Sequence, residues 1–145
     1  MEERPNAQAS PTVAELHQLS KALLRLHKAL LDGERLAYER RHAPIESNGQ
    51  YLQLVLGHSA FAWLRDLSRL MAELDDLSGR SDPSAAAAIR DRLSALRRLL
   101  TPVEGDEAFG ERYHQALQRD PEVVLAHGTV INLLAAAVGK EGDEQ

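Results

Sequence analysis

The chain has 145 residues, the size of a single domain, and can bury a core without support from a metal or a disulfide. It contains no cysteine, which excludes thiolate zinc sites, thiol catalysis and disulfides. A net charge of -5, spread along the chain, gives no electrostatic reason to hold a polyanion, so nucleic acid is not an expected partner.

The first ten residues, MEERPNAQAS, read as a flexible tail. They lack the basic start and apolar run of a signal peptide, and a cytoplasmic location is expected. The most apolar window, Val123 to Val138, is too short to span a bilayer and contains His127 and Asn132, so no membrane partner is expected. Residues 11–139 are expected to form one helical domain, followed by an acidic tail over 140–145.

Thr12 is the expected cap of a first helix running to about His42. Its apolar rows are Leu16, Leu23, Leu30 and Ala37 beside Leu19 and Leu26, widened by Leu24, Leu31 and Tyr38. Arg40, Arg41 and His42 suit the negative end of the helix dipole, and Pro44 prevents continuation. The short connection implies an antiparallel hairpin with the next helix.

The organising stretch is then Tyr51 to Leu77, with the only Trp, one of the two Phe and three adjacent apolar rows. These rows are Leu56, Trp63, Leu70, Leu77; Ala60, Leu67, Leu74; and Gly57, Leu64, Met71, a pattern for a helix covered on more than one side. Ser47 and Gln50 predict a capping box, Gly79 predicts the end, and the span 48–78 predicts a rod of roughly 46 Å. In the hairpin register Gly33 falls level with Gly57, both facing the seam, and Asp32 falls level with His58. Close helix contact is favoured there over a small pocket.

Residues 79–83 break the chain, with Ser81 or Asp82 as cap and Pro83 opening a third helix along Ile89, Leu93, Leu96 and Leu100. Arg90, Arg92, Arg97 and Arg98 lie off that stripe, and a solvated face is favoured over a phosphate partner. Thr101 and Glu104 could form a further capping box. A helix from about Asp106 to Gln118 comes next, and then one opened by Asp120 and Pro121 through Val138. Residues 101–106 either reverse the chain, giving five helices, or kink a long third arm that turns near Asp120. The expected fold class is therefore all-α, four-helix-bundle-like, with two long N-terminal helices and a shorter, broken C-terminal half, four or five helices in total.

The phrases LHKALLDGERLAYERRHAPI, LQLVLGHSAFAWLRDLSRL and LLTPVEGDEAFGERYHQALQRDPEVVLAH together resemble a family of small, uncharacterised bacterial proteins, over roughly residues 23 to 130. The resemblance implies an intracellular all-helical protein and brings no activity, cofactor or catalytic residue. Members of that family often carry a Pro after the Trp-Leu-Arg triplet, where this chain has Asp66, which implies a differently bent central helix here.

Two Glu-x-x-His pairs, Glu39/His42 and Glu111/His114, have the spacing used in di-metal bundles, but Glu39 and His42 sit at a helix end beside two arginines. His27 and His127 are flanked by Leu and Val residues and belong at buried faces. Structural hydrogen bonding is favoured there over ligation of haem or a metal. Asp32 and His58 could move a proton beside Gly33, although surface ion pairing is the favoured reading. No nucleophile elbow, phosphate loop or zinc spacing is present. The leading expectation is a non-enzymatic bundle acting through protein contacts as a homodimer, because its first two helices carry apolar faces wider than one partner covers. The alternative is a small-molecule, haem or metal-binding bundle with a pocket among His27, Gly33, Tyr38, Gly57, His58, Trp63 and His127. No resident cofactor is expected under the leading reading.

Overall fold

The computed structural model describes residues 11–101 and 108–142, and every regular element among them is a helix. The first, α1 (Val13–Arg41), starts where Thr12 Oγ1 accepts the Glu15 N–H at 3.0 Å and the Glu15 carboxylate accepts the Thr12 N–H at 2.8 Å. This reciprocal box satisfies donors that an uncapped first turn leaves open. Arg40 and Arg41 close the helix against its negative end. Its core edge is Leu16, Leu19, Leu23, Leu26 and Leu30, all buried.

Six more helices complete the chain: α2 (Asn48–Gly57), α3 (Ser59–Ala62), α4 (Arg65–Ser78), α5 (Pro83–Leu99), α6 (Ala108–Arg119) and α7 (Pro121–Gly142). The described residues thus hold seven helices where four or five are expected from the sequence, and the difference lies mainly in the second arm. The expected unbroken rod over 48–78 is three pieces. Gly57 ends α2 without a side chain to pack, and the His58 backbone is extended. His58 Nδ1 then accepts the Ala60 N–H at 3.0 Å and starts a single turn, α3. A second tight turn, Leu64 N–H to Phe61 O at 3.2 Å, precedes α4. The break turns Phe61 inward until it is 1% exposed. It also leaves Leu56, expected in the core, 66% exposed. The widest unbroken face therefore belongs to α1, which is the organising element in place of 51–77.

Hydrogen bonds fix the directions of the core helices. Ser20 Oγ donates to Asp75 at 3.0 Å and His27 Nε2 meets Ser68 Oγ at 2.7 Å, so α4 runs antiparallel to α1. Asp82 caps α5 through the Ala85 N–H, Pro83 sits in its first turn, and Arg92 reaches back to Glu73 at 2.8 Å. That pairing makes α4 and α5 an antiparallel hairpin. The start of α7 lies against Gly33, and the surface it shares with α1 runs back to Gln18 and Leu133, so α7 is antiparallel to α1 as well. α1 packs on α7, α4 and α3, and α5 packs on α4 and α7. Leu67, Leu74, Leu93, Leu96, Val130 and Leu134 meet the α1 leucines in one core.

α6 is a crossing piece. Phe109 at its start packs on Trp63, and Arg119 at its end reaches Glu34 of α1 at 3.4 Å. The chain reverses at Asp120, across which Tyr113 and His127 face each other. The kink or turn expected over 101–106, and the Thr101/Glu104 box, fall mostly outside the described residues, as does the expected tail over 1–10. α7 extends to Gly142, beyond the expected end at Val138. No helix of the described residues is long and apolar enough to cross a membrane.

Candidate functional site

The expected site residues are dispersed. Gly33 is buried on α1, where a Cβ would fall on the Asp120 carboxylate and the Arg119 guanidinium. Gly57 is exposed, with nothing within 4 Å of the position a Cβ would take. The two glycines therefore do not face one another, because the break at His58 carries α2 away from the α1 seam and leaves α7 to use Gly33.

Close approach at Gly33 brings an ion-pair cluster to the corner. Glu34, only 5% exposed, holds Arg119 at 3.4 Å and Arg112 at 4.0 Å, while Arg119 also binds Asp120 at 2.8 Å. A buried carboxylate with two cationic partners locks α1 to the α6–α7 turn, and breaking it costs more than making it contributes. The sequence offers no periodic signal for this cluster, since its members lie 85 residues apart.

Tyr38 and His58 do meet, edge to face at 5.2 Å, with His42 5.8 Å from His58 and Phe61 behind Tyr38. His58 Nδ1 accepts the Ala60 amide, so the neutral ring carries its proton on Nε2 and has no free lone pair for a metal. Glu39 accepts the Ile45 N–H at 2.8 Å, fastening the α1–α2 connection. Asp32 pairs with Lys28 at 2.9 Å, an exposed ion pair of the kind the sequence favours there over proton transfer with His58. The second Glu-x-x-His pair, Glu111 and His114, is exposed. Among the described residues no three His, Asp or Glu side chains are grouped so as to hold a metal ion.

Trp63 and His127 belong to a different cluster. Trp63, Phe109, Tyr113 and His127 succeed one another with ring centroids 5.1, 5.5 and 5.5 Å apart. Tyr113 is fully buried and burial pushes its phenol well above the usual range, so it stays protonated. Its O–H needs an acceptor and finds His127 Nδ1 at 2.6 Å. Burial lowers the pKa of His127, in keeping with a neutral ring in that role. His27 sits apart from this cluster. Ser68 donates its hydrogen to Leu64 O at 3.2 Å, so His27 Nε2–H donates to Ser68 Oγ, and burial lowers that pKa as well. Both histidines thus bond a neighbouring helix, through different partners.

Among the described residues, α2 is the long helix that buries none of its side chains fully. Ser47 Oγ accepts the Gln50 N–H at 3.0 Å, and the Gln50 side chain accepts the Glu46 N–H at 2.8 Å, one residue earlier than a capping box requires. Tyr51 fastens the helix, its hydroxyl donating to Leu31 O at 3.4 Å and Arg35 lying 4.6 Å over its ring. Burial first, then Asp32, pushes the Tyr51 phenol up while Arg35 opposes. At the other end Arg65 donates to Leu56 O at 2.7 Å. Yet the sequence of α2, NGQYLQLVLG, is half large apolar residues and none is buried. Leu52 is 58% exposed and Leu56 66%. Leu24, 58% exposed, lies one heptad below Leu31, on the side of α1 that meets Tyr51.

A concave feature of about 880 Å³ runs between α1 and α7. Of the expected pocket residues only Gly33 lines it, with Asp32 beside it. Comparison with known proteins adds no further constraint: no family model matches the chain, and neither a curated protein nor a solved structure does.

Proposed function

We propose that the chain is a cytoplasmic, non-enzymatic four-helix-bundle-like module that acts through protein contacts, as a homodimer joined across α2. The observation that carries this reading is an apolar helix with no buried residue, held in place at both ends by hydrogen bonds. A helix that kept its leucines in water without function would be more soluble if built from polar residues.

The magnitudes decide how much surface is needed. Covering the exposed part of one leucine contributes about 1–1.5 kcal/mol, so Leu52 and Leu56 of both copies give about 4–6 kcal/mol gross, which the cost of roughly 4 kcal/mol or more in lost translational and rotational freedom largely cancels. Adding Leu24 from each copy raises this to about 6–9 kcal/mol gross, so micromolar association also needs the hydrogen bonds and apolar atoms that surround these leucines. A two-fold interface centred on α2 and the neighbouring α1 face supplies all six side chains.

Sedimentation velocity over micromolar concentrations tests the reading. The wild-type chain is expected to sediment as a dimer, and Leu52→Glu with Leu56→Glu is expected to give a folded monomer with unchanged helical circular dichroism. A wild-type chain that stays monomeric throughout that range removes the proposal.

A further inference from the structure

With no residue of α2 buried, the place of this helix against α1 is set by a few polar anchors and not by a core. Tyr51 supplies one near its start, and Arg65, reaching Leu56 O, supplies another at its end. His58 is the third, and it acts in two directions. Its backbone N–H donates to Leu54 O at 2.8 Å and closes α2, while its Nδ1 accepts the Ala60 N–H at 3.0 Å and opens α3. The backbone is extended between the two, so the direction in which α2 leaves α3 is set at this residue. Elsewhere in the chain the same capping task falls to the side-chain oxygens of Thr12, Ser47 and Asp82. An imidazole differs from an oxygen cap in one respect: it is the side chain whose charge changes between about pH 5 and 8, and once charged it donates from both nitrogens.

We propose that His58 is an acid-operated latch: a proton on Nδ1 turns the acceptor of the Ala60 amide into a second donor facing it, the α2–α3 junction opens, and α2 loses its docked position on α1. The groups around the ring do not compensate. From α1, Tyr38 meets it edge to face at 5.2 Å without a hydrogen bond, and His42 stands 5.8 Å away, itself 4.3 Å from Tyr38. From α4, Arg65 brings a cation to the end of α2. On α2 the ionisable side chain is Tyr51, a phenol that meets Phe61 at 6.0 Å, and α3 carries none. Glu39, the last acid of α1, is committed to the Ile45 N–H and to Arg35. Among the described residues neither His42 nor His58 has a carboxylate partner. A charge on His58 therefore meets Arg65 and, when it too is protonated, His42, and repulsion adds to the loss of the cap. Opening of the junction needs only a single chain. Loss of self-association in acid rests on the reading of α2 as the dimer interface, since a second copy binds only the docked helix.

The test reads the two effects separately on the full chain between about pH 7.5 and 5. Histidine-labelled NMR spectra follow the protonation of His58, amide exchange follows Ala60 after correction for its intrinsic pH dependence, and sedimentation velocity follows the dimer. At the upper pH the His58 proton is expected on Nε2, and Ala60 protection is expected to fall at least about fivefold along the His58 titration. The same fall is expected in the Leu52→Glu/Leu56→Glu chain. The wild-type dimer is expected to weaken at least about tenfold over that range, with helical circular dichroism retained. His58→Asn keeps an acceptor that takes up no proton there, and its Ala60 protection and dimer affinity are expected to change less than about twofold. His27→Gln/His127→Gln removes the two other histidines that bond neighbouring helices and is expected to keep the wild-type response. Ala60 protection that does not follow His58, or an equal acid response in His58→Asn, overturns the latch. A dimer unchanged at pH 5 while Ala60 protection is lost overturns the link from junction to α2. A wild-type chain that is monomeric at pH 7.5 removes the dimer reading alone, and Ala60 in that monomer still decides the latch.

Discussion

Gly33 and Gly57 carry the same residue type in opposite circumstances, and the contrast is measurable. Ala is favoured over Gly inside a helix by roughly 1 kcal/mol. At Gly57 nothing opposes that gain, since no atom stands within 4 Å of the new carbon, and Gly57→Ala is expected to stabilise by about 0.4–1 kcal/mol. At Gly33 the added methyl displaces Asp120 and with it the Arg119 contact to Glu34, so Gly33→Ala is expected to destabilise by about 1–3 kcal/mol despite its better propensity. Urea denaturation of the two variants checks both signs. The two half-buried histidines set the acid response. Their folded pKa values lie below the ordinary 6.5, so in the acid range the unfolded chain binds more protons than the folded one. The stability they contribute is fully present above about pH 6.5 and is lost as pH falls through the depressed folded values. The urea midpoint is therefore expected to drop between pH 7.5 and 5, and to drop less in His27→Gln/His127→Gln.

The junction between α2 and α4 is where one element of the sequence reading fails for a physical reason. Three heptad rows run through residues 56–77 without interruption, and periodicity alone cannot register that Gly57 lowers helix propensity just where His58 supplies a side-chain acceptor for a new start. Where a boundary is made by local chemistry of a common kind, it is legible: Thr12 with Glu15, Ser47, Asp82 with Pro83, and the Asp120–Pro121 turn all stand at helix starts. The all-helical class rests on the same signals, whereas the partnering of α1 with α7 does not, because it depends on a glycine meeting a carboxylate far along the chain. The candidate site was legible only in fragments. Tyr38 and His58 meet, and Trp63 and His127 share one row of rings, but Leu56, placed by its spacing in a core heptad row, lies on the exposed face of α2. His58→Ala removes both the acceptor for the Ala60 amide and an edge contact with Tyr38, and is expected to cost about 1–2 kcal/mol. His58→Asn restores an acceptor without the ring and is expected to recover roughly half of that in urea denaturation.

Across the whole molecule, stability is concentrated in α1, α4, α5 and α7, which share the buried leucines, and is least in α2, which shares none. Local opening tracks that distribution, because an element that buries little apolar surface loses little when it detaches. In a monomer, the α2 amides are expected to exchange with solvent far faster than those of α1 around Leu23, Leu26 and Leu30, which open only when the core does. Self-association changes this pattern in a way no intrachain contact can. If α2 is the dimer interface, its protection rises with protein concentration, since a second copy binds only the docked helix and stabilises it by mass action. Hydrogen exchange read by mass spectrometry at two concentrations about a hundredfold apart is expected to show protection of residues 48–57 growing at the higher one, with the α1 core unchanged. In the Leu52→Glu/Leu56→Glu chain the same segment is expected to exchange fast at both. Protection of α2 that is equally high at both concentrations in the wild type would mean that contacts within one chain hold it, and the dimer would then have to be sought elsewhere on the surface.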